Sequence, residues 1–405
     1  MDKNEKLILQ ELAKKYMELA NNPVNLERKQ RGMDINDLTP RRPMVWLHEL
    51  PWHELNIDGK MDMLCTHPSA KRMEWFFRTN LFRWEYFQAD MVLTDYFPIQ
   101  KNYTSTGNGL EFEEDILSND EKNHIVSHHY KDQLDTIEKV KALKEPIIKA
   151  NPEEDKKQKE MAEVVLRDIM PVNLTGTYIY YAPWDIIPMY RGVTPVLMDL
   201  IDDPDLMHET IKTFTNHGFS VMKQMEKEGL LGNDIEDVHC TPPYTKSLKP
   251  GRSLKNIWFR CMAQIFTEVS PSMWKEFELD YLMPLAEACG LTYYGCCEAL
   301  EHKIPLLKTI PNLRKIGVST QANPEKCAEQ IGKNYVYAHK PNPAHVTGAF
   351  NEETVKKEIT EIIELCKKYN CPYEFVLKDV STVTYKTENL IKWNKVVQDT
   401  INKFY

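Results

Sequence analysis

Short apolar runs alternate with longer stretches of helical periodicity along most of this chain, and that alternation restricts the fold more than any other feature. Short runs of apolar residues suit strands buried on both faces, which belong to parallel sheets whose strands are joined by helices. Candidate strands are Met44–Leu47, Met91–Tyr96, Thr177–Tyr181, Ile235–Cys240, Thr292–Cys296, Lys315–Ser319, Tyr335–Ala338 and Phe375–Leu377. Helical patterns lie at roughly 67–88, 203–228, 271–288, 322–331, 352–369 and 386–403. Asp203-Pro204 and Ser270-Pro271 read as helix starts, with proline in the first turn. Parallel strands with intervening helices predict an α/β fold, a (β/α)8 TIM barrel spanning 1–405 as a single domain. A doubly wound open sheet is the alternative, but no glycine-rich dinucleotide loop follows an early strand.

Two stretches stand outside the repeat. The first 20 residues read as an amphipathic N-terminal helical extension, charged throughout and without the apolar block of a leader peptide. Residues 100–165 contain acidic EFEEDILSNDE and the charged runs HHYKDQLDTIEKVKALK and EEDKKQKE. They predict a mostly helical insertion after the second strand, either a solvated surface pair or a cover over the barrel mouth.

Charge and thiol content narrow the class of partner. A net charge of −9 offers no basic field for nucleic acid or for an anionic membrane surface. No run approaches the roughly 18 apolar residues of a membrane span. Nine cysteines, an odd number without a secretion-type leader, predict reduced thiols in a cytoplasmic protein.

Active sites of such barrels lie at the C-terminal ends of the strands. Those ends carry His48 and Glu49, Asp95 and Tyr96, Tyr180 and Tyr181, His239 and Cys240, Tyr294 to Glu298, and Ser319 and Gln321. His339, Lys340, Lys378 and Asp379 complete the ring. Strand alternation would put Tyr294, Cys296 and Glu298 on one face. A thiophilic metal such as zinc suits thiolate, imidazole and carboxylate donors, here Cys296, Cys297, Glu298 and His239. The competing reading of adjacent cysteines is simple core packing. In Ala338-His339-Lys340-Pro341, the lysine can meet a substrate carboxylate or phosphate, or belong to a solvated loop. Asp379, beside Lys378, is a candidate base, ligand or orienting group, or a helix cap. Glu49, Asp95, Tyr180, His339 and Lys340 are the candidate substrate-binding side chains, and Glu298, Asp379, Tyr294 and Lys378 the candidate catalytic ones.

The segment Leu291–Glu298, preceded by Tyr281-Leu282-Met283-Pro284, resembles the middle motif of the uroporphyrinogen decarboxylase and corrinoid-dependent methyltransferase superfamily. Val196–Pro204 and Glu74–Asp90 resemble further segments of that superfamily, and the likeness runs over roughly residues 40–400. The superfamily motif ends His-x-Cys-Gly-Asn. Here Tyr294 stands at the His position, Cys296 at the Cys and Glu298 at the Asn, and the late cysteine falls on or beside Asp379. The resemblance implies one of two chemistries. The first is methyl transfer between a small methylated substrate and a corrinoid carried by a partner protein, assisted by zinc. The second is metal-free decarboxylation of a carboxylate substrate, with Lys340, Lys378 and Asp379 handling the acid. A non-catalytic binding barrel is the third class, and the density of titratable strand ends argues against it.

Overall fold

The computed structural model describes residues 1–117 and 126–405. Its centre is one sheet of seven parallel strands. In chain order these are β1 (Met44–Leu47), β2 (Ile179–Tyr181), β3 (Trp258–Cys261), β4 (Leu291–Tyr294), β5 (Leu313–Val318), β6 (Val336–His339) and β7 (Tyr373–Leu377). Chain neighbours β2 to β7 lie side by side, and β1 pairs with β7, so the order is β1-β7-β6-β5-β4-β3-β2. Nearly every residue of β1, β3, β4, β6 and β7 is buried, as strands covered on both faces must be.

Helices cover the outside where the periodicity places them, including Pro68–Phe82, Pro204–Lys227, Pro324–Ile331, Glu352–Lys368 and Glu388–Ile401. Asp203 and Ser270 cap their helices by accepting from the amides of Leu206 and Met273. Two N-terminal helices, Lys3–Ala20 and Pro23–Asn36, precede β1. Among the described residues, no helix is long and apolar enough to cross a membrane, and all nine cysteines are free thiols.

Two expected strands are absent from the sheet, and one strand was not anticipated. Met91–Tyr96 is irregular; the chain pairs instead at Asp90, whose amide donates to Val45 O at 2.8 Å, and at Phe97–Gln100. Phe97–Gln100 runs parallel to Val172–Thr175, just before β2. Ile235–Cys240 alternates like a strand but forms one leg and the tip of a hairpin. Strand β3 takes that place in the sheet; its Arg260 had broken up the apolar run that marks strands.

The hairpin matters most for function. Its tip closes with Val238 N to Thr241 O at 2.9 Å and Thr241 N to Val238 O at 3.2 Å. One leg is anchored where Asp234 meets Arg252 and the Gly176 amide, the other where Asn36 donates to Pro242 O and Tyr244 O. Val238 packs among Trp258, Leu291, Tyr293 and Ala338, whereas Cys240 packs among Met44, Trp46, Val336 and Val376. Those partners come from β3, β4 and β6 on one side and from β1, β6 and β7 on the other. The sheet therefore curves around the hairpin tip.

The insertion departs from the helical expectation. It holds two antiparallel ribbons, Tyr103–Ser105 with Ile148–Ala150 and Glu114–Leu117 with Ser127–Tyr130, and a short helix, Ile137–Lys141, before the helix Pro152–Leu166. It docks on the flank, where Arg191 grips Asp132 and Gln224 accepts from the Ile148 amide. Part of the acidic run, 118–121, lies outside the described residues.

Candidate active site

The strand ends and the hairpin tip bring three thiols, two imidazoles, three carboxylates and several cations together. Cys296 follows β4 by two residues, and Gly295 between them has φ of +94°. That turn is why Cys296 does not continue the face of Tyr294. A Cβ on Gly317 of β5 would lie 2.4 Å from Gly295 O, so the bare glycine lets the turn seat against its neighbour. Cys296 Sγ lies 3.6 Å from Cys297 Sγ, 3.4 Å from His239 Nε2 and 3.5 Å from Lys378 Nζ. Cys297 Sγ lies 3.6 Å from Asp379 Oδ2. Lys378, just past β7, bonds Asp379 Oδ2 at 2.8 Å and Glu49 Oε2 at 3.0 Å. His48, just past β1, faces Cys240 Sγ through Nδ1 at 3.3 Å and Asp237 Oδ2 through Nε2 at 3.4 Å.

Electrostatics separate the three thiols. The hydrogen bond from Cys297 lowers the Cys296 pKa to about 6, with Arg260, Lys378 and Lys340 assisting against burial. The same contact with Cys296, together with burial, pushes the Cys297 thiol up. Burial, then the charge of Glu49, pushes Cys240 up. Burial and the cations Arg260, Lys340 and Lys378 push the His239 imidazole down, so it is neutral and free to donate a lone pair. Against burial, Cys296, Asp379 and Glu49 hold Lys378 in its charged form. Against burial too, bonding to Asp379 and Lys378 holds Glu49 at about 2.

The backbone is strained where the site is built. Glu49, His239, Cys240 and Asp379 all have left-handed φ, of 48°, 45°, 68° and 57°. Such conformations cost about 1 kcal/mol or more each in residues with a side chain, and they persist where packing over-determines them.

Cys296, Cys297, Lys378, Asp379, Glu49, His239 and Lys340 thus converge. Tyr180 stands at the open side, half exposed, its ring 5.7 Å from that of His239. Four other expected residues point elsewhere. Tyr294 faces the helices, where its hydroxyl meets Trp274 Nε1 at 3.1 Å, and Tyr293 is the inward tyrosine. Glu298 is fully buried with its oxygens taken by the amides of Ala263 and Cys296, at 3.0 and 3.1 Å. His339 turns outward to Glu358. Asp95 is exposed and outside the cluster. Conversely, His48, Cys240, Asp237 and Arg260 belong to the centre. His48 and Cys240 were visible as strand-end residues, but Arg260 sits in the unanticipated strand and Asp237 in the hairpin.

Ligand atoms of a tetrahedral zinc stand about 3.3–3.8 Å apart, given bonds of about 2.0–2.3 Å. The separations of 3.4, 3.6 and 3.6 Å along His239, Cys296, Cys297 and Asp379 fall in that range. Cys296, Cys297 and Asp379 lie mutually within 4.8 Å. Those three residues fit a thiophilic divalent cation, with Lys378 as the cation beside it, whereas His239 meets the set only at Cys296.

No protein-family model matches the chain, and no curated protein matches its sequence. Its fold is similar to that of a solved structure, a methyltransferase from Methanosarcina mazei. The match has a TM-score of 0.53 at 12% identity and covers 93% of this chain and 99% of that one. At that identity the likeness speaks to the fold alone.

Proposed function

We propose that this chain is a methyl-transfer enzyme of (β/α)8 barrel type, moving a methyl group between a small methylated substrate and a corrinoid held by a partner protein. The observation that carries the reading is the convergence of Cys296, Cys297 and His239 with Asp379 and Lys378 at the strand ends. The barrel reading is supported by Asp90 bonding β1 while Phe97–Gln100 pairs with the run leading into β2. In that reading this segment stands in for the eighth strand.

Methyl transfer needs a strong sulfur nucleophile or acceptor at neutral pH. Lys378, Lys340 and Arg260 favour negative charge on Cys296, and Asp379 and Glu49 hold Lys378 in position. Zinc on Cys296, Cys297 and Asp379 would keep a bound sulfur or hydroxyl deprotonated.

The test is methyl transfer to free cob(I)alamin, followed spectrophotometrically across methylated ethers, amines and thiols. We expect methylcobalamin with at least one donor class and none from Cys296→Ser. Silence across the whole panel with zinc supplied would sink the proposal.

One observation favours a second reading. Lys340 Nζ is buried with no hydrogen-bond acceptor among the described residues, as expected of a group awaiting a substrate acid. A metal-free decarboxylase would keep full turnover after chelation and release carbon dioxide.

A further inference from the structure

A second donor set stands beside the first, and the chemistry proposed above draws on it only through the ion pair of Glu49 with Lys378. His48, Glu49 and Cys240 bring an imidazole nitrogen, a carboxylate oxygen and a sulfur within 4.8 Å of one another. The 3.3 Å between His48 Nδ1 and Cys240 Sγ is again an edge of a zinc-sized tetrahedron. His48 has its other nitrogen 3.4 Å from Asp237 Oδ2. A carboxylate behind a ligating imidazole fixes its tautomer and orientation in metal sites. Asp237 also accepts from the Cys240 amide at 3.1 Å, so one carboxylate orients both the imidazole and the thiol-bearing turn.

A plain polar cluster would satisfy these groups equally well with any hydrogen-bonding residues. The mixed sulfur, nitrogen and oxygen set is what a borderline-soft cation selects. It is assembled from two distant chain segments, both held in left-handed backbone at Glu49 and Cys240. Lys378 bonds one carboxylate from each donor set, Glu49 and Asp379, and so stands between them. We infer that His48, Glu49 and Cys240 bind a second thiophilic divalent cation, of the zinc or cobalt(II) class, with Asp237 as the orienting carboxylate. The inference rests on reading the strand-end cluster as the active centre, and adds a two-metal character to it.

Metal content decides it, measured by elemental mass spectrometry on the full chain loaded with zinc and freed of excess ion. Wild type, Cys240→Ser, His48→Gln and Cys296→Ser would be compared, each with its fold checked by circular dichroism. Two equivalents per chain in wild type, falling to one in each variant, support the inference. One equivalent lost only in Cys240→Ser and His48→Gln also supports it, and removes the zinc proposed at Cys296. One equivalent lost only in Cys296→Ser overturns the inference and leaves the first site standing. One equivalent lost in every variant means a single shared centre, which also overturns it. No bound zinc overturns both metal sites while leaving the cobalamin assay to judge methyl transfer. If a serine variant does not fold, Asp237→Asn serves, and the affinity of the second ion for cobalt(II) should fall about 10- to 100-fold. Unchanged cobalt affinity there would count against the site.

Discussion

Lys340 carries its charge into a place where its neighbours are an aromatic ring and thiols. The Tyr293 ring centroid is 5.6 Å from Nζ. Against burial, Tyr293, Cys296 and Cys240 keep the ammonium charged. A desolvated donor left unsatisfied costs about 1–3 kcal/mol. Removing it sets that cost against the lost favourable charge environment, so Lys340→Met is expected to move urea unfolding by no more than about that amount, while activity is lost. A variant that is less stable and fully active would show that Lys340 is a packing residue. At this scale, one residue of parity separates success from failure in reading the sequence. At the end of β6, His339 and Lys340 are adjacent and both polar, and nothing in their types tells which one turns inward. In β4 the same ambiguity made Tyr294 rather than Tyr293 the candidate. Beyond it, Gly295 resets the alternation that was to align Cys296 with Tyr294 and Glu298.

At the scale of elements, the loop after β7 depends on a carboxylate from the far end of the chain. Glu54 accepts from Thr382 Oγ1 at 2.6 Å and from the amides of Val383 and Tyr385 at 2.7 and 3.0 Å. The loop needs such an anchor because Thr384 and Tyr385 are both left-handed. Burial opposes ionisation, but these bonds win and hold the Glu54 pKa below its ordinary value of 4.5. A depressed folded pKa stabilises the protein above the ordinary value, and the benefit disappears as pH falls through it towards the folded one. Glu54→Gln should thus cost about 1–3 kcal/mol at pH 7, and the gap from wild type should narrow on acidification. Equal losses at all pH values in chemical unfolding would refute the charge argument. Helices and six of the seven sheet strands were legible because period and burial agree over their lengths. Strand β3 was not, because Arg260 faces the interior, where its guanidinium donates to Gly295 O at 2.8 Å and lies 4.3 Å from the Tyr293 ring. A local window scores that arginine as surface. Ile235–Cys240 failed in the opposite sense, since an interior hairpin alternates as a strand does.

For the whole molecule, the question is how a chain seats a hairpin against its own curved sheet and holds the tip in register with strand ends. The tip is fixed by packing against strands on both sides, and the base by Arg252. That guanidinium bonds both oxygens of Asp234 at 2.7 Å and reaches Leu231 O at 3.1 Å and Leu174 O at 3.4 Å. It therefore ties the hairpin's first leg to the run that leads into β2, the same run that pairs with Phe97–Gln100. The hairpin and the run before β2 share one fastening. The pair is partly exposed, so solvent screening limits its worth to about 1 kcal/mol even with bidentate geometry. Arg252→Met should accordingly lower global stability only slightly. Its larger effect should be local, with faster amide exchange across residues 235–244 than in β5 and β6, and weaker retention of any metal held by His239 or Cys240. If exchange in the hairpin stays as slow as in the sheet, the tip's packing alone holds it. His239 and Cys240 then owe their positions to the core that surrounds them, and the basal ion pair serves only the join to β2.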